Sequence, residues 1–406
     1  MEANNILMRI KRDFSDIPES MHYFYDLLES YHSEKGGHQT DKPLIGVMCV
    51  QVPEELIHAA GAQPLRLCCG ANACDQVGAE FMPSKSCPLV KATTGFLYAN
   101  RSELIDQLSA IIIPTTCDQK RKTAEIISHM GYKVIMLEMP LTREGELAAH
   151  YWQESVKKLT AGLQKVTKTK VTAKGLKKEI HRVGRASDAF RQIYTLRKHQ
   201  SPLISGIDAL LVNNCYFIDD IDKWCEATSK LADELRTRKE NGVSVGNRLA
   251  PRILLTGSPP IFPNIKLPLM LEEAGSVIVA DEVCSSSRLL YDMVAYDEPQ
   301  LYDMIPAIAD RYLKASTCPC FTPNDNRRRK LLEMTDEFLV DGVVYQAFSG
   351  CVPYEMEQKS ISDALAEHGI PMLYVETDYS PEDQGQLSTR IEAFIESIKA
   401  RKRKSS

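Results

Sequence analysis

An α/β protein with two parallel-sheet domains and a helical connection is the fold class that the sequence predicts, on three observations. Short apolar runs alternate with amphipathic stretches over residues 42–141 and again over 249–399, the rhythm of βα units. Residues 142–248 lack such runs and read as long charged helices. The two α/β halves also resemble each other: HAAGAQPLRL is echoed by EEAGSVIVAD, and GYKVIMLEM by GIPMLYVET. Gly61 and Gly275 each close a helix just before a strand in the first pair. Two related Rossmann-like domains with right-handed crossovers are the simplest architecture with these properties.

Taken in order, residues 1–41 are polar with scattered apolar positions, as in MHYFYDLLESYH, and read as a helical segment. Strands are predicted at PLIGVMC (43–49), QPLRLCC (63–69), SAIIIPTT (109–116) and YKVIMLEM (132–139). In the connection, ESVKKLTAGLQKV and KGLKKEIHRVGRASDAFRQIYTLRKH are rich in Lys and Arg. Glu154, Glu179 and Asp188 are interspersed and aromatic interleaving is lacking, so these read as solvated helix faces rather than a basic patch. Strands return at PRILLTG (251–257), SVIVADEV (276–283), DGVVYQAF (341–348) and IPMLYVET (370–377). A last helix runs through RIEAFIESIKA, and residues 400–406, ending RKRKSS, read as a disordered basic tail.

At 406 residues the chain exceeds one small core, and its 44% hydrophobic and 25% charged content is that of an ordinary globular protein. A net charge of -5 gives no reason to expect a nucleic-acid partner. MEANNILMRIKRDF has no signal-peptide core, and about 18 uncharged apolar residues, enough for a membrane span, never run together. The expected location is the cytoplasm, where the 12 cysteines are not expected to form a disulfide framework.

The placement of those cysteines is informative. Cys49, Cys117, Cys284 and Cys351 each lie at or just past the carboxyl end of a predicted strand, the edge where ligands bind in open parallel sheets. Cys87 in KSCPLVK, and Cys318 and Cys320 in STCPCFTPN, each precede a predicted helix. A helix start favours thiolate, the metal-binding form. Six positions, three per half, are thus expected to face one another across a cleft. Their long, irregular spacing and the lack of any CxxC argue against a zinc ribbon and suit an iron–sulfur cluster held by scattered loops. Cys68, Cys69, Cys74, Cys215 and Cys225 lack the full pattern and read as structural, with Cys68 or Cys69 a candidate supporting group.

The runs GVMCVQVPEELIHAAGAQPLRLC, KSCPLVKATTGF, PTTCDQKRK, DEVCSSSR, CPCFTPN and ETDYSPEDQGQLSTRIEAFIE resemble the family of 2-hydroxyacyl-CoA dehydratases and benzoyl-CoA reductases. The resemblance spans about Leu44 to Ile398 and is nearest to the double-cubane cluster proteins. It implies a [4Fe–4S] cubane held by Cys87, Cys117 and Cys351 with one iron open to substrate. In the double-cubane branch it implies a second, sulfide-bridged cubane on Cys49, Cys284 and Cys320, with Cys318 the alternative to Cys320. SGC at 349–351 and SSSR after Cys284 depart from the commonest family forms.

The resemblance also implies a separate iron–sulfur activator that hydrolyses ATP and supplies low-potential electrons, and a homodimer. This chain has no GxxxxGK[ST] or GxGxxG loop of its own. A small substrate would be reduced at or near the open irons. Glu54, Glu55 and His58, one helical turn near Cys49, are the acid–base candidates, of which Glu55 and His58 are carried forward. Pro53, Glu54 and Glu55 also make an ordinary helix start, which is the preferred reading of the two carboxylates. Asp118, Lys120 and Arg121 are placed to hold a carboxylate or tune cluster charge, or are simply solvated. The rival readings are a dehydratase subunit with one cubane, and a metal- or cluster-binding protein without turnover.

Overall fold

The structure, a computed structural model, describes residues 2–14, 16–33, 41–99, 103–247 and 249–405. Residues 34–40 of the expected N-terminal segment, the boundary residue 248 and the last tail residue lie outside that set. All eight predicted strands are present: β1 (Leu44–Val47), β2 (Gln63–Arg66), β3 (Leu108–Pro114), β4 (Val134–Leu137), β5 (Arg252–Gly257), β6 (Val277–Glu282), β7 (Gly342–Phe348) and β8 (Met372–Thr377). They form two all-parallel sheets, in the orders β2-β1-β3-β4 and β6-β5-β7-β8. The two orders are the same, so the sequence repeat is a repeat of topology.

Glycine makes that repeat possible. Gly61 and Gly275 end the helices before β2 and β6 at φ +74° and +82°, and Gly131 and Gly369 precede β4 and β8 at +95° and +71°. These are left-handed values that cost other residues roughly 1–2 kcal/mol. The strands β5, β6 and β7 are buried along their whole length, as expected for a sheet covered on both faces.

Core packing crosses the boundaries expected at residues 41, 141 and 248. Leu7, Ile10, Phe24 and Leu28 of the N-terminal helices share a core with Leu254, Val279 and Val343 of the second sheet. Met304, Ile308 and Tyr312, from the helix Leu301–Lys314, instead pack on Ile45, Val47 and Ile112 of the first sheet. The helix Ala173–Arg197 joins the two cores, placing Leu176 and Ile180 in one and Phe190 and Ile193 in the other. A buried ion pair, Arg197 to Asp281 at 2.5 Å, anchors its end to β6.

The tail corrects an expectation. The last helix runs from Gln384 to Ser405 through the basic residues that the sequence presented as disordered. Lys402 Nζ lies 2.6 Å from Asp341 Oδ2, and cations at a helix C-terminus are favoured by its dipole.

The helices Asn72–Gly78 and Pro88–Ala99 meet backbone to backbone. A Cβ on Gly78 would lie 2.0 Å from the Lys91 carbonyl, and one on Gly95 would lie 2.0 Å from that of Cys74. Gly95→Ala is therefore expected to force these helices apart and cost about 1–3 kcal/mol in a urea titration of the full chain.

Candidate metal centre

The two sheets direct their carboxyl ends to one cavity of about 440 Å³. Cys49 follows β1, Cys117 follows β3, Cys284 follows β6 and Cys351 follows β7, and all four line it. Cys87, Cys318 and Cys320 line it too, so every predicted ligand position reaches the same space. Cys68 is an addition. β2 ends at Arg66 rather than continuing to residue 69, and the chain turns Cys68 into the cavity. Cys69 and Cys74 contact each other beside this site, whereas Cys215 and Cys225 are buried in the helical core.

The sulfurs fall into two neighbourhoods, which meet where Cys117 interacts with Cys318. Cys87 and Cys351 are hydrogen-bonded to each other, and both interact electrostatically with Cys117. Cys318 and Cys320 are likewise hydrogen-bonded; Cys284 interacts with Cys318 and Cys49, and Cys320 with Cys49. Mutual hydrogen bonding lowers the pKa of Cys87 and Cys318 and raises that of Cys351 and Cys320. Burial raises Cys68, Cys117 and Cys284.

Helix starts serve three of these thiols. Cys87 immediately precedes Pro88–Ala99, and Cys117 and Cys351 cap the helices Asp118–His129 and Val352–Glu367. Cys318 and Cys320 depart from the expectation, because the helix after them begins only at Asp325. Each of these thiols interacts chiefly with the other, and Arg288 acts on Cys318 from nearby.

Two residues without a sequence signal join the halves. Gln119 accepts from the Cys87 N–H at 2.7 Å through Oε1 and donates to the Gly350 carbonyl at 2.7 Å through Nε2. Gly350 has φ +79°, and a Cβ there would lie 1.9 Å from the Lys85 carbonyl. The segments carrying Cys87 and Cys351 thus touch through bare backbone.

Of the charged candidates, Lys120 and Asp118 border the cavity and Arg121 does not, while the Asp118 and Arg121 side chains are 87% and 61% exposed and pair with each other. Burial pulls the Lys120 pKa down, but Cys49, Cys117, Cys68 and Cys318 outweigh it and raise it overall. Glu54 and Glu55 do begin the helix Glu54–Ala59, yet both point inward rather than into solvent. Glu54 binds Arg66 at 2.6 Å and the Tyr216 hydroxyl at 2.9 Å, and Glu55 accepts from Tyr312 at 3.0 Å. Arg66 reaches the cysteine cavity; Glu55 and His58 do not line it, and His58 faces a separate small polar pocket.

The family model described as "2-hydroxyglutaryl-CoA dehydratase, D-component" matches residues 49–398. The chain belongs to that family. Among its relatives, a proposed dehydratase subunit, YjiM, of Escherichia coli (strain K12) is 30% identical over 88% of this chain and 91% of its own. The (R)-phenyllactyl-CoA dehydratase beta subunit of Clostridium sporogenes is 23% identical over 95% of this chain and 98% of its own. One of the subunits of the benzoyl-CoA reductase of Thauera aromatica is 24% identical over 88% of this chain and 91% of its own.

For this member of the dehydratase D-component family the donors gathered at the cavity are eight cysteine sulfurs, the ligand type that iron–sulfur clusters use. Among the described residues no three His, Cys, Asp or Glu side chains converge on a point that would hold one metal ion. A mononuclear thiolate site needs such convergence, with each sulfur about 2.3 Å from the metal. A cluster places its thiolates on different irons and spreads them over a wider ring. Eight cysteines line the one cavity.

Two expectations follow. Gly350→Ala should separate the Cys87 and Cys351 segments, so iron retained after anaerobic reconstitution should fall to roughly half of wild type or less, with Gln119→Ala causing a smaller loss. His58 supplies a pH test. Burial lowers its pKa to about 3, so between pH 6.5 and 3 the unfolded chain binds the extra proton. Its contribution is complete above the unfolded pKa and is lost as pH falls, by up to about 1.4 kcal/mol per unit. Urea titrations should show this slope in wild type and lose part of it in His58→Phe.

Proposed function

We propose that the chain is the iron–sulfur component of a low-potential reductase, holding an [8Fe–9S] double cubane. Cys87, Cys117 and Cys351 would carry one cubane, and Cys49, Cys284 and Cys320 the other, with Cys318 the alternative to Cys320. The observation that carries this reading is that the cavity's sulfurs fall into two groups drawn from both sheets, Cys87, Cys117 and Cys351 in one and Cys49, Cys284, Cys318 and Cys320 in the other. Bound there, the centre would supply stored electrons and an iron position open to a small substrate.

The residues of this chain do the rest. Met48, Val50, Phe217, Ile261 and Phe348 give the cavity an apolar wall that limits water, while Lys120 and Arg66 offset negative charge on sulfur. Electrons would come singly from a separate ATP-hydrolysing iron–sulfur activator, which is oxidised by one electron for each that this chain accepts. A homodimer in the cytoplasm completes the proposal. No helix among the described residues is long and apolar enough to cross a membrane.

A second reading is favoured by the full-length match to a subunit named for (R)-phenyllactyl-CoA dehydration: a dehydratase subunit with one [4Fe–4S] cubane. Anaerobic purification with iron and acid-labile sulfide analysis separates the two. About eight irons per chain supports the double cubane and about four the dehydratase reading. A colourless protein with zinc and no sulfide would leave only a binding role. In the double-cubane case, replacing either Cys117 or Cys284 with Ser should damage one half of the centre preferentially.

A further inference from the structure

The two sulfur groups sit in different hydrogen-bonding settings. Cys87, Cys117 and Cys351 each lie at a helix start, where the hydrogen-bond donors are backbone N–H groups; the Lys120 ammonium acts on Cys87 and Cys117 but also on Cys284, Cys318 and Cys320, so it is common to both sides. Cys284 instead receives a hydrogen bond from a guanidinium. Arg288 Nη1 donates to its Sγ at 3.5 Å, and the Tyr354 hydroxyl lies 3.8 Å from the same sulfur. Among the described residues no other cavity cysteine accepts a hydrogen bond from a charged side chain.

Arg288 is locked in that pose. Its Nε and Nη2 grip both Glu282 oxygens at 2.5 and 2.7 Å, Nη2 also reaches the Glu282 carbonyl at 3.2 Å, and Nη1 holds the Tyr354 hydroxyl. Glu282 is in turn fixed by Arg327 at 2.6 Å, Thr256 at 2.8 Å and Thr317 at 2.5 Å. Arg288, Glu282 and Arg327 are all buried, so salt screens them little and the donor needs no rearrangement when charge on the sulfur changes. With its fork on Glu282, Arg288 presents to Cys284 one rigidly held Nη1 of a positively charged group.

We infer that Arg288 makes the Cys284 side of the cavity the electron-resting end of the centre. The inference rests on the two-cubane reading above. Reduction adds negative charge to sulfur, and an N–H donor with positive charge behind it stabilises that state, raising the potential of the half it touches. An electron delivered to the Cys87–Cys117–Cys351 half would then pass to the Cys49–Cys284 half. One half is oxidised and the other reduced by the same single electron, and no covalent bond changes. Arg288 is a positioning residue, acting on the metal centre through Cys284.

The test is an anaerobic redox titration of the full-length protein, followed by electron paramagnetic resonance, with iron and sulfide counted in every sample. Wild type is expected to show two one-electron steps. Arg288→Met should lower the upper step by at least tenfold in the ratio of reduced to oxidised centre, which is 59 mV for one electron, and leave the lower step in place. Arg288→Lys, which keeps charge but loses the fork, should fall between the two. Tyr354→Phe, a milder change that removes the hydroxyl beside the Cys284 sulfur and one anchor of the Arg288 pose, should shift the upper step in the same direction, and it carries the test if Arg288→Met does not retain full iron. Full iron with an unshifted upper step, or equal shifts of both steps, overturns the inference alone. A wild type with about four irons removes the two-cubane reading and the inference with it.

Discussion

Sulfur taken out of water prefers to stay protonated, and a cavity ringed by eight cysteines is organised around that constraint. Burial alone drives Cys68, Cys117 and Cys284 toward the neutral thiol. Metal ligation needs the opposite, the thiolate. The fold opposes the desolvation penalty from several directions: helix N-termini under Cys87, Cys117 and Cys351, the Lys120 ammonium within the wall, and the Arg288 guanidinium against Cys284. The parallel sheets bring these together, because only their carboxyl edges collect strand ends and helix starts in one place.

Duplication explains how so many sulfurs meet. With identical strand orders, Cys117 after β3 and Cys351 after β7 occupy matching places, as do Cys68 after β2 and Cys284 after β6. The match fails after the strands at the start of each repeat, where β1 leads to Cys49 and β5 leads to Ser258. Two similar halves facing each other supply similar ligands, and such departures let the two sides differ in charge. Helices exchanged between the cores, such as Leu301–Lys314 on the first sheet, keep the halves in register.

The strands were legible because runs such as IIIP and ILLTG are buried on both faces and carry little besides apolar residues. The ligand positions were legible for the same reason, since a cysteine just beyond such a run lies at the sheet edge. β2 was harder. Leu67 is buried after the strand has ended, so QPLRLCC reads as one element and hides the turn that brings Cys68 inward. Gln119, Gly350 and Arg288 had no local signal, because their roles depend on partners far away in sequence or on the buried shape around them. Glu54 and Glu55 carried a misleading one: acidic residues at a helix start usually face water, and here Arg66, Tyr216 and Tyr312 draw them inward.

Gathering ligands from both ends of the chain also constrains how the protein is made. Domains emerge from the ribosome N-terminus first, at about 5–20 residues per second. Cys49, Cys87 and Cys117 are therefore synthesised long before Cys351, and the latch from Gln119 to Gly350 waits for nearly the whole polypeptide. Until then the early cysteines lack the second-half segments that complete the cavity around them. With the proposed centre, metal insertion would wait for the second half, and oxygen would reach the thiols most readily in the interval between synthesis of the first half and closure of the second.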